Sequence, residues 1–394
     1  MFEYGFSTVI KPKRLTSTLI GVIIRTMTDN QNNISAAPLS FQLQRRGFSL
    51  GLTPVNDPTE YQDDPLSNWH QGKPVFLKGL CSPHLASFRH EIESSDTLYA
   101  AILNGQECDT AFTQSPYIDR IEPNFESLGC SVNEGDQQEI ETIIFDAIDI
   151  NDPDKILAED LWLKASWLSF YEGDASLRFR FSFGVDLVED VAADSNRQHH
   201  AARLTEAIFP ESSIITQNEE LAQSLKTILN GNDFNFVERI VYFNAPEGGA
   251  YLHHDRERGH AGVVYAQLSG QTFWLALAKK TLVNEIIFFI EKCQKSVWPN
   301  NINESIKLEI LDSSTSKEKL AIELDSFSNS ALIHLINETA DFVQQLIEHG
   351  HSRHLTPGDV ILLPQDSELD CCWHSVFCLG DESGEALSFA IRST

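Results

Sequence analysis

The second half of the chain is dominated by short segments with the residue pattern of β-strands. Residues 177–183 alternate strictly between apolar and polar side chains. Since successive side chains of a strand point to opposite faces, this pattern predicts a strand with one buried face. Further strands are predicted at residues 237–243, 262–268, 271–276, 359–363, 374–379 and 386–392. A chain with this many short strands is expected to fold as a mainly β protein.

Two helical segments interrupt these strands. The apolar spacing at residues 281–294 and 331–349 predicts helices, and so a helical insertion at about 279–352 within a core domain of residues 161–394. Residues 27–160 are predicted as an N-terminal mixed α/β region, with a short strand within 73–79. In this region, residues 28–72 are rich in Asn, Gln, Pro and Asp and are expected to have little regular structure.

Residues 1–26 are predicted to be a disordered extension that the fold does not need. Met27 precedes the polar run Thr-Asp-Asn-Gln-Asn-Asn, which is typical of a protein start. A targeting role is the alternative, because the basic residues 11–14 are followed by an apolar stretch at 19–24. That stretch is short and is interrupted by Arg25, and no small-residue cleavage site follows it.

The charge balance excludes several partners. The chain has 57 acidic and 29 basic residues, a formal charge of −28, and such a surface repels phosphate backbones and anionic lipids. Its 7 Cys are irregularly spaced, which does not indicate a disulfide framework and favours the reducing cytoplasm. No apolar run reaches the length of about 20 residues that a transmembrane helix requires. We therefore expect a cytoplasmic protein that binds neither nucleic acid nor membranes.

One segment combines metal-binding residue types at strand spacing. His253 and Asp255 are two residues apart, so on a strand both side chains point to one face and His254 to the other. An imidazole and a carboxylate are two of the three ligands in the 2-His-1-carboxylate triad that binds non-haem Fe(II). The third ligand must then come from a distant strand. His-x-Asp alone is weak evidence, because a chain with 13 His can contain it by chance.

Later motifs strengthen this interpretation. Pro-Gly-Asp at 357–359, an apolar strand, Pro364 and then Trp373-His374 follow the order seen in cupin-type double-stranded β-helices. Residues 266–274 read Ala-Gln-Leu-Ser-Gly-Gln-Thr-Phe-Trp. Together these motifs resemble the JmjC-like branch of the cupin Fe(II)/2-oxoglutarate-dependent oxygenases. The resemblance covers residues 236–278 and 355–392, and the segment 73–79 is similar to the N-terminal strand of these proteins.

This resemblance implies a double-stranded β-helix core with His253, Asp255 and His374 as metal ligands and catalytic centre. It also implies Fe(II) as cofactor, with 2-oxoglutarate and dioxygen as co-substrates. The chain departs from the family at Thr272, where the pattern has a Lys that pairs with the distal carboxylate of 2-oxoglutarate. Since a hydroxyl cannot neutralise a carboxylate, we expect Arg392 on the final strand to bind that group as a bidentate donor. Thr272 and Arg392 are thus the residues predicted to bind the co-substrate.

The function implied by the resemblance is hydroxylation of a protein side chain or small metabolite, with succinate and carbon dioxide as products. One alternative is a cupin iron oxygenase that does not use 2-oxoglutarate, and another is a cupin binding module without catalysis. The insertion helices could form the face of a homodimer if they are amphipathic.

Other polar residues receive structural interpretations. Arg180 is expected in a salt bridge, and three His cluster at a predicted helix end, where cations are favoured: His349, His351 and His354. Three thiols on one short hairpin would make a poor zinc site: Cys371, Cys372 and Cys378.

Overall fold

The structure is a computed structural model that describes residues 39–45, 47–55, 64–132, 139–167, 175–184, 193–256, 259–326, 329–367 and 370–393. The extension predicted at residues 1–26 lies outside these ranges.

The strands of the described ranges are β1 (Leu39–Arg45), β2 (Phe48–Val55), β3 (Val75–Leu77), β4 (Phe125–Ser131), β5 (Glu139–Asp149), β6 (Asp152–Trp167), β7 (Leu177–Phe183), β8 (Phe234–Asn244), β9 (Gly249–His253), β10 (Gly262–Gln267), β11 (Gln271–Ala278), β12 (Ser352–Leu355), β13 (Val360–Pro364), β14 (Cys372–Leu379) and β15 (Gly384–Ser393).

The α-helices of the same ranges are α1 (Pro65–His70), α2 (Ser82–Leu85), α3 (Arg89–Leu103), α4 (Cys108–Phe112), α5 (Tyr117–Ile121), α6 (Ser195–Ile208), α7 (Ser213–Thr216), α8 (Glu219–Ile228), α9 (Lys279–Lys295), α10 (Glu304–Ser313), α11 (Lys317–Asp325), α12 (Ser330–Glu338) and α13 (Ala340–Glu348). Several are preceded by an N-cap Asn whose side chain accepts a backbone N–H, as Asn218 does from Leu221 at 2.9 Å. None of the described helices is long and apolar enough to span a membrane.

The eight strands β8 to β15 form a double-stranded β-helix. They are distributed between two sheets, with the strand orders β13-β10-β15-β8 and β12-β11-β14-β9, and all neighbours are antiparallel. This is the strand order of an eight-stranded jelly roll. The first sheet is extended by β3 at one edge and by β7, β6, β5 and β4 at the other, which makes nine strands in total. The mainly β fold class predicted from the sequence is confirmed.

Three apolar cores follow from the alternation of side chains along these strands. The large sheet packs one face against the N-terminal helices, with residues such as Phe179, Phe243 and Phe389. A second core joins the outer face of the small sheet to the insertion helices and to the β1–β2 hairpin. The third lies between the two sheets and includes Tyr265 and Trp274. The space between the two sheets of the β-helix therefore has one sheet on each side, and the outer face of each sheet is covered by a further apolar core.

The helical insertion is present where the sequence predicts it, as α9 to α13 between β11 and β12. It contains two helices, α10 and α11, that the sequence did not indicate. The apolar faces of α12 and α13 are buried in the second core of the chain itself. A homodimer formed through these helices stays a prediction.

One expectation for the N-terminal region is corrected, and the predicted domain division stays a prediction. Residues 28–72 are not irregular in their described part, because they contain the β1–β2 hairpin and α1. The hairpin packs Leu43, Phe48 and Val55 into the second core, although Gln and Ser dilute its apolar pattern. The domain boundary predicted between residues 160 and 161 falls inside β6, which is hydrogen-bonded to both β5 and β7 in one sheet.

Candidate metal centre

The candidate metal centre is carried by two neighbouring strands of the small sheet. His253 is the last residue of β9 and is paired in register with His374 of β14. Asp255 follows β9 by two residues. The close approach of the strands depends on Gly249, which has a φ of +142° and where a Cβ would lie 2.1 Å from the carbonyl oxygen of Val376. Two residues that are 121 positions apart are thus held side by side by sheet register.

The three predicted ligands converge. One ligand atom from each of His253, Asp255 and His374 lies within 4.8 Å of the others. The Nε2 atom of His253 is 3.3 Å from Asp255 Oδ1, and the Nε2 atom of His374 is 3.4 Å from Asp255 Oδ2. In the part of the chain that the structure describes, no other group of His, Cys, Asp or Glu residues meets this spacing.

Neighbouring groups orient both imidazoles. His253 Nδ1 is 2.6 Å from the carbonyl oxygen of Tyr251, so this nitrogen carries the proton and donates it. Its Nε2 lone pair then faces Asp255 and His374, as a metal ligand requires. The ring of Trp274 stacks on His374 with a centroid distance of 5.3 Å and an interplanar angle of 22°. The rotation of both rings is therefore restricted.

The protonation states of His374 and Asp255 also suit metal binding; burial alone would lower the pKa of His253, but the neighbouring Asp255 carboxylate raises it overall. Enclosure in the cavity and the neighbouring His253 lower the pKa of His374 to about 3, so its imidazole is neutral. Enclosure raises the pKa of the Asp255 carboxyl, but the imidazoles of His374 and His253 lower it more, and the net pKa lies well below its usual value. A neutral imidazole and an ionised carboxylate are the forms that bind a metal ion.

The triad opens onto a cavity of about 220 Å³ inside the β-helix. Its walls are mostly aromatic and aliphatic, with a few polar groups among them. Besides the triad they comprise Trp167, Arg178, Tyr242, Asn244, Gly249, Ala250, Val263, Tyr265, Trp274, Leu363, Val376 and Ser388. An apolar cavity with few convergent polar groups is typical of a small-molecule site.

Neither residue predicted to bind the co-substrate lines this cavity. Thr272 is fully buried, and its hydroxyl donates to Gln267 Oε1 at 2.8 Å and accepts from Trp274 Nε1 at 2.9 Å. The guanidinium of Arg392 lies against Gly259, where a Cβ would be 3.2 Å from its Cζ. Arg392 is four residues beyond Ser388 on the same strand, and this carries it past the cavity. Arg392 is thus not among the residues that line this cavity, and its role in binding the co-substrate stays a prediction.

The polar residues outside the triad largely follow their structural interpretations. Arg180 pairs with Glu238, with 2.7 Å between Nε and Oε1. His349 and His351 both lie next to Glu285 of α9, at 2.8 and 3.1 Å, and so attach the end of α13 to the first insertion helix. Burial raises the pKa of Cys371 to about 11, and that thiol is not part of a metal-binding group of the described residues.

Two features near the site were not found from the sequence. Arg178, noted there only as part of an alternating strand, lines the cavity. Behind the triad, His254 faces Asp325 of α11, with 3.5 Å between Nε2 and Oδ1, and Asp325 also pairs with the buried Lys279 at 2.6 Å. The only sequence signal for the second feature was that His254 must point away from His253 and Asp255.

Part of the chain is similar to several solved structures. The chain is similar to YcfD, a ribosomal oxygenase from Escherichia coli, in complex with cobalt and succinic acid (12% identity, TM-score 0.22, 59% of this chain and 37% of that chain). The complex of the same protein with cobalt and 2-oxoglutarate gives 12% identity and a TM-score of 0.21 over 59% and 37% of the chains. A 2OG-Fe(II) oxygenase family oxidoreductase from Burkholderia pseudomallei matches at 8% identity with a TM-score of 0.24, over 59% of this chain and 68% of that chain.

The alignments span less than half of the YcfD chains. No protein-family model matches the sequence, and no curated protein is significantly similar to it. The fold is a cupin-type double-stranded β-helix. This follows from the strand order of the chain itself, and it agrees with the family that the sequence motifs resemble.

Proposed function

We propose that this protein is an Fe(II)- and 2-oxoglutarate-dependent oxygenase. The observation that carries the proposal is the convergence of His253, Asp255 and His374 at the wall of an enclosed cavity. Two neutral imidazoles and one carboxylate are the donor set of the facial triad that binds Fe(II) in non-haem oxygenases. The ligand atoms lie close enough together to share one ion, and His253 already presents Nε2 toward the other two.

The three ligands leave part of the coordination sphere of Fe(II) open, and the bound metal would supply the chemistry by which 2-oxoglutarate and dioxygen give succinate, carbon dioxide and an oxidised substrate. The chain contributes the surroundings. Trp274 holds the His374 ring, and aromatic and aliphatic side chains form most of the cavity wall beside the triad. The carboxylate of Asp255 occupies the third ligand position. A halide would need that position on the metal to be without a protein ligand. Hydroxylation is therefore favoured over halogenation.

The substrate that we propose is a protein side chain or a small metabolite with polar groups. A second cavity of about 140 Å³ adjoins the first, and the two share five lining residues: Arg178, Tyr242, Asp255, Val263 and Ser388. This second cavity presents the ion pair between Arg180 and Glu238 to whatever enters. A substrate that reaches the metal from this side would meet charged groups before it meets the apolar wall.

A second candidate function is an iron oxygenase that does not use 2-oxoglutarate. The observation that favours it is Thr272, which replaces the basic residue of the family pattern and whose hydroxyl is already engaged by Gln267 and Trp274. This candidate keeps the metal centre and differs only in the co-substrate.

Two measurements test the proposal. Purified protein loaded with Fe(II) without oxygen is expected to retain about one iron per chain by elemental analysis, the stoichiometry of a single facial triad. On addition of 2-oxoglutarate and air it is expected to release succinate, and Asp255→Ala is the matched control for both signals. Iron without succinate would favour the second candidate. A chain that retains no iron would leave a cupin binding module without catalysis.

A further inference from the structure

The cavity next to the metal centre contains one strong cation, Arg178. This residue lies on β7, which is hydrogen-bonded to β8 outside the eight strands of the β-helix. Its register partners are Tyr242 on β8 and Ser166 on β6. The side chain lines both the triad cavity and the adjoining one. Among the described residues that line the triad cavity, Arg178 is the single Lys or Arg.

The guanidinium of Arg178 is only partly engaged. Its Nε donates to Ser166 Oγ at 3.1 Å, and no carboxylate of the described residues lies within ion-pair distance of it. Arg180, two residues along the same strand, differs in that it is paired with Glu238. Although the chain has 57 acidic residues, Arg178 faces the cavity without a carboxylate partner among the residues that the structure describes. The two Nη groups are available to an anion that enters this cavity.

The other polar groups of the wall do not supply this charge. The hydroxyl of Thr272 is already hydrogen-bonded to Gln267 and Trp274, and Arg392 lies past the end of the cavity. Asn244 donates to the hydroxyl of Tyr265 at 3.0 Å. A ligand carboxylate in the cavity, in addition to that of Asp255, would be buried without a cationic partner unless Arg178 binds it. Burying a carboxylate without such a partner would cost several kcal/mol.

We propose that Arg178 binds the distal carboxylate of a dicarboxylic 2-oxo acid in this cavity. The inference rests on the proposed function, because the other end of the acid is taken to bind at the triad. In this proposal the residue that pairs with the distal carboxylate of the co-substrate lies on β7, a strand that precedes the β-helix. It is neither Thr272 on β11 nor Arg392 on β15. A planar guanidinium with two free Nη groups suits a carboxylate better than a point charge does.

The test compares two acids that share a metal-binding end. The protein is loaded with Mn(II) without oxygen, and the affinities for 2-oxoglutarate and 2-oxobutanoate, which lacks the distal carboxylate, are measured by calorimetry. The wild-type protein is expected to prefer 2-oxoglutarate by at least about 30-fold, since a buried charge pair is gained. Arg178→Gln is expected to abolish this preference while the affinity for 2-oxobutanoate stays unchanged. Arg392→Gln is the matched control and is expected to keep the preference.

The outcomes separate the inference from the proposed function. If the wild-type chain does not bind Mn(II), the metal centre itself fails. If it binds metal and 2-oxoglutarate but shows no preference over 2-oxobutanoate, the inference about Arg178 is overturned and the metal centre stands. An unchanged preference in Arg178→Gln, or its loss in Arg392→Gln, overturns it as well. Since the comparison of the two acids uses wild-type protein, it holds even if a variant is unstable.

Discussion

Two buried carboxyl groups lie in the first core, and neither has an ion pair to a Lys or Arg among the described residues. Glu385 of β15 and Glu211 next to α7 are both fully buried, and Ser95 donates to Glu211 Oε1 at 2.5 Å. Neither oxygen of Glu385 has a Lys, Arg or hydroxyl donor among the described residues. Burial and the neighbouring Glu211 raise the pKa of Glu385 well above its usual value, and burial raises that of Glu211. Burial therefore favours the protonated form of Glu385 in the folded chain.

We predict that Glu385→Gln stabilises the protein at neutral pH. Because the pKa of Glu385 is higher in the folded than in the unfolded chain, its protonated carboxyl contributes fully to stability at a pH below the unfolded pKa. This contribution is lost as the pH rises toward the folded pKa. An unfolded Glu has a pKa of about 4.3, so the interval to pH 7 is about 2.7 units, at about 1.4 kcal/mol per unit. The loss therefore has a ceiling of about 4 kcal/mol for a carboxyl that stays protonated to pH 7. Gln has nearly the same shape and does not titrate.

The measurement is urea unfolding of both proteins between pH 4.5 and pH 8. The two are expected to differ little in free energy of unfolding near pH 4.5, and Glu385→Gln is expected to be more stable by about 1–4 kcal/mol near pH 7. Glu382→Gln, at an exposed position in the turn that precedes β15, is the control and should show no such difference. A difference between Glu385→Gln and wild type that does not change with pH would refute the reasoning.

Three further predictions concern the metal centre and its support. His253→Ala is expected to abolish iron retention in elemental analysis, because a triad that loses one of three ligands also loses its geometry; full iron content would exclude it. Asp325→Asn is expected to lower the free energy of unfolding, measured in urea, by about 3–5 kcal/mol, because it leaves the buried charge of Lys279 without its carboxylate. Lys279→Met should lower it less, and equal losses in the two variants would contradict this reasoning. Arg45→Met is expected to cost about 2–4 kcal/mol in the same assay, because the buried guanidinium bonds to Ala250, Ser375 and Asn337; unchanged stability would contradict it.

Most strands of the β-helix could be predicted from the sequence, because each combines alternation or a short apolar run with turn residues at its ends. The hairpin of β1 and β2 was missed, since its polar face is rich in Gln and Ser and its apolar residues are sparse. Strands β4 to β6 were also missed. Their pairing contains several register shifts, so no single alternation runs through them.

The sequence by itself determined the composition of the metal centre. The spacing of His253 and Asp255 places both on one side of a short segment, and the Pro-Gly-Asp and Trp-His motifs point to His374 as the third ligand. The spacing of His253 and Asp255 is a local pattern whose geometry depends only on the two-residue period of a strand. His374 was implied by the resemblance of the later motifs to the oxygenase family.

Only the tertiary structure decided which residues surround the metal centre. Arg178 reaches the cavity because β7 adds to the edge of the large sheet beside β8, and no local pattern specifies that edge. Arg392 has the same side-chain parity as Ser388, but its distance along β15 takes it past the cavity. Side-chain parity follows from the chain itself. Depth within a barrel depends on strand register and on which strands become neighbours, and these are fixed by packing between segments that are far apart in sequence.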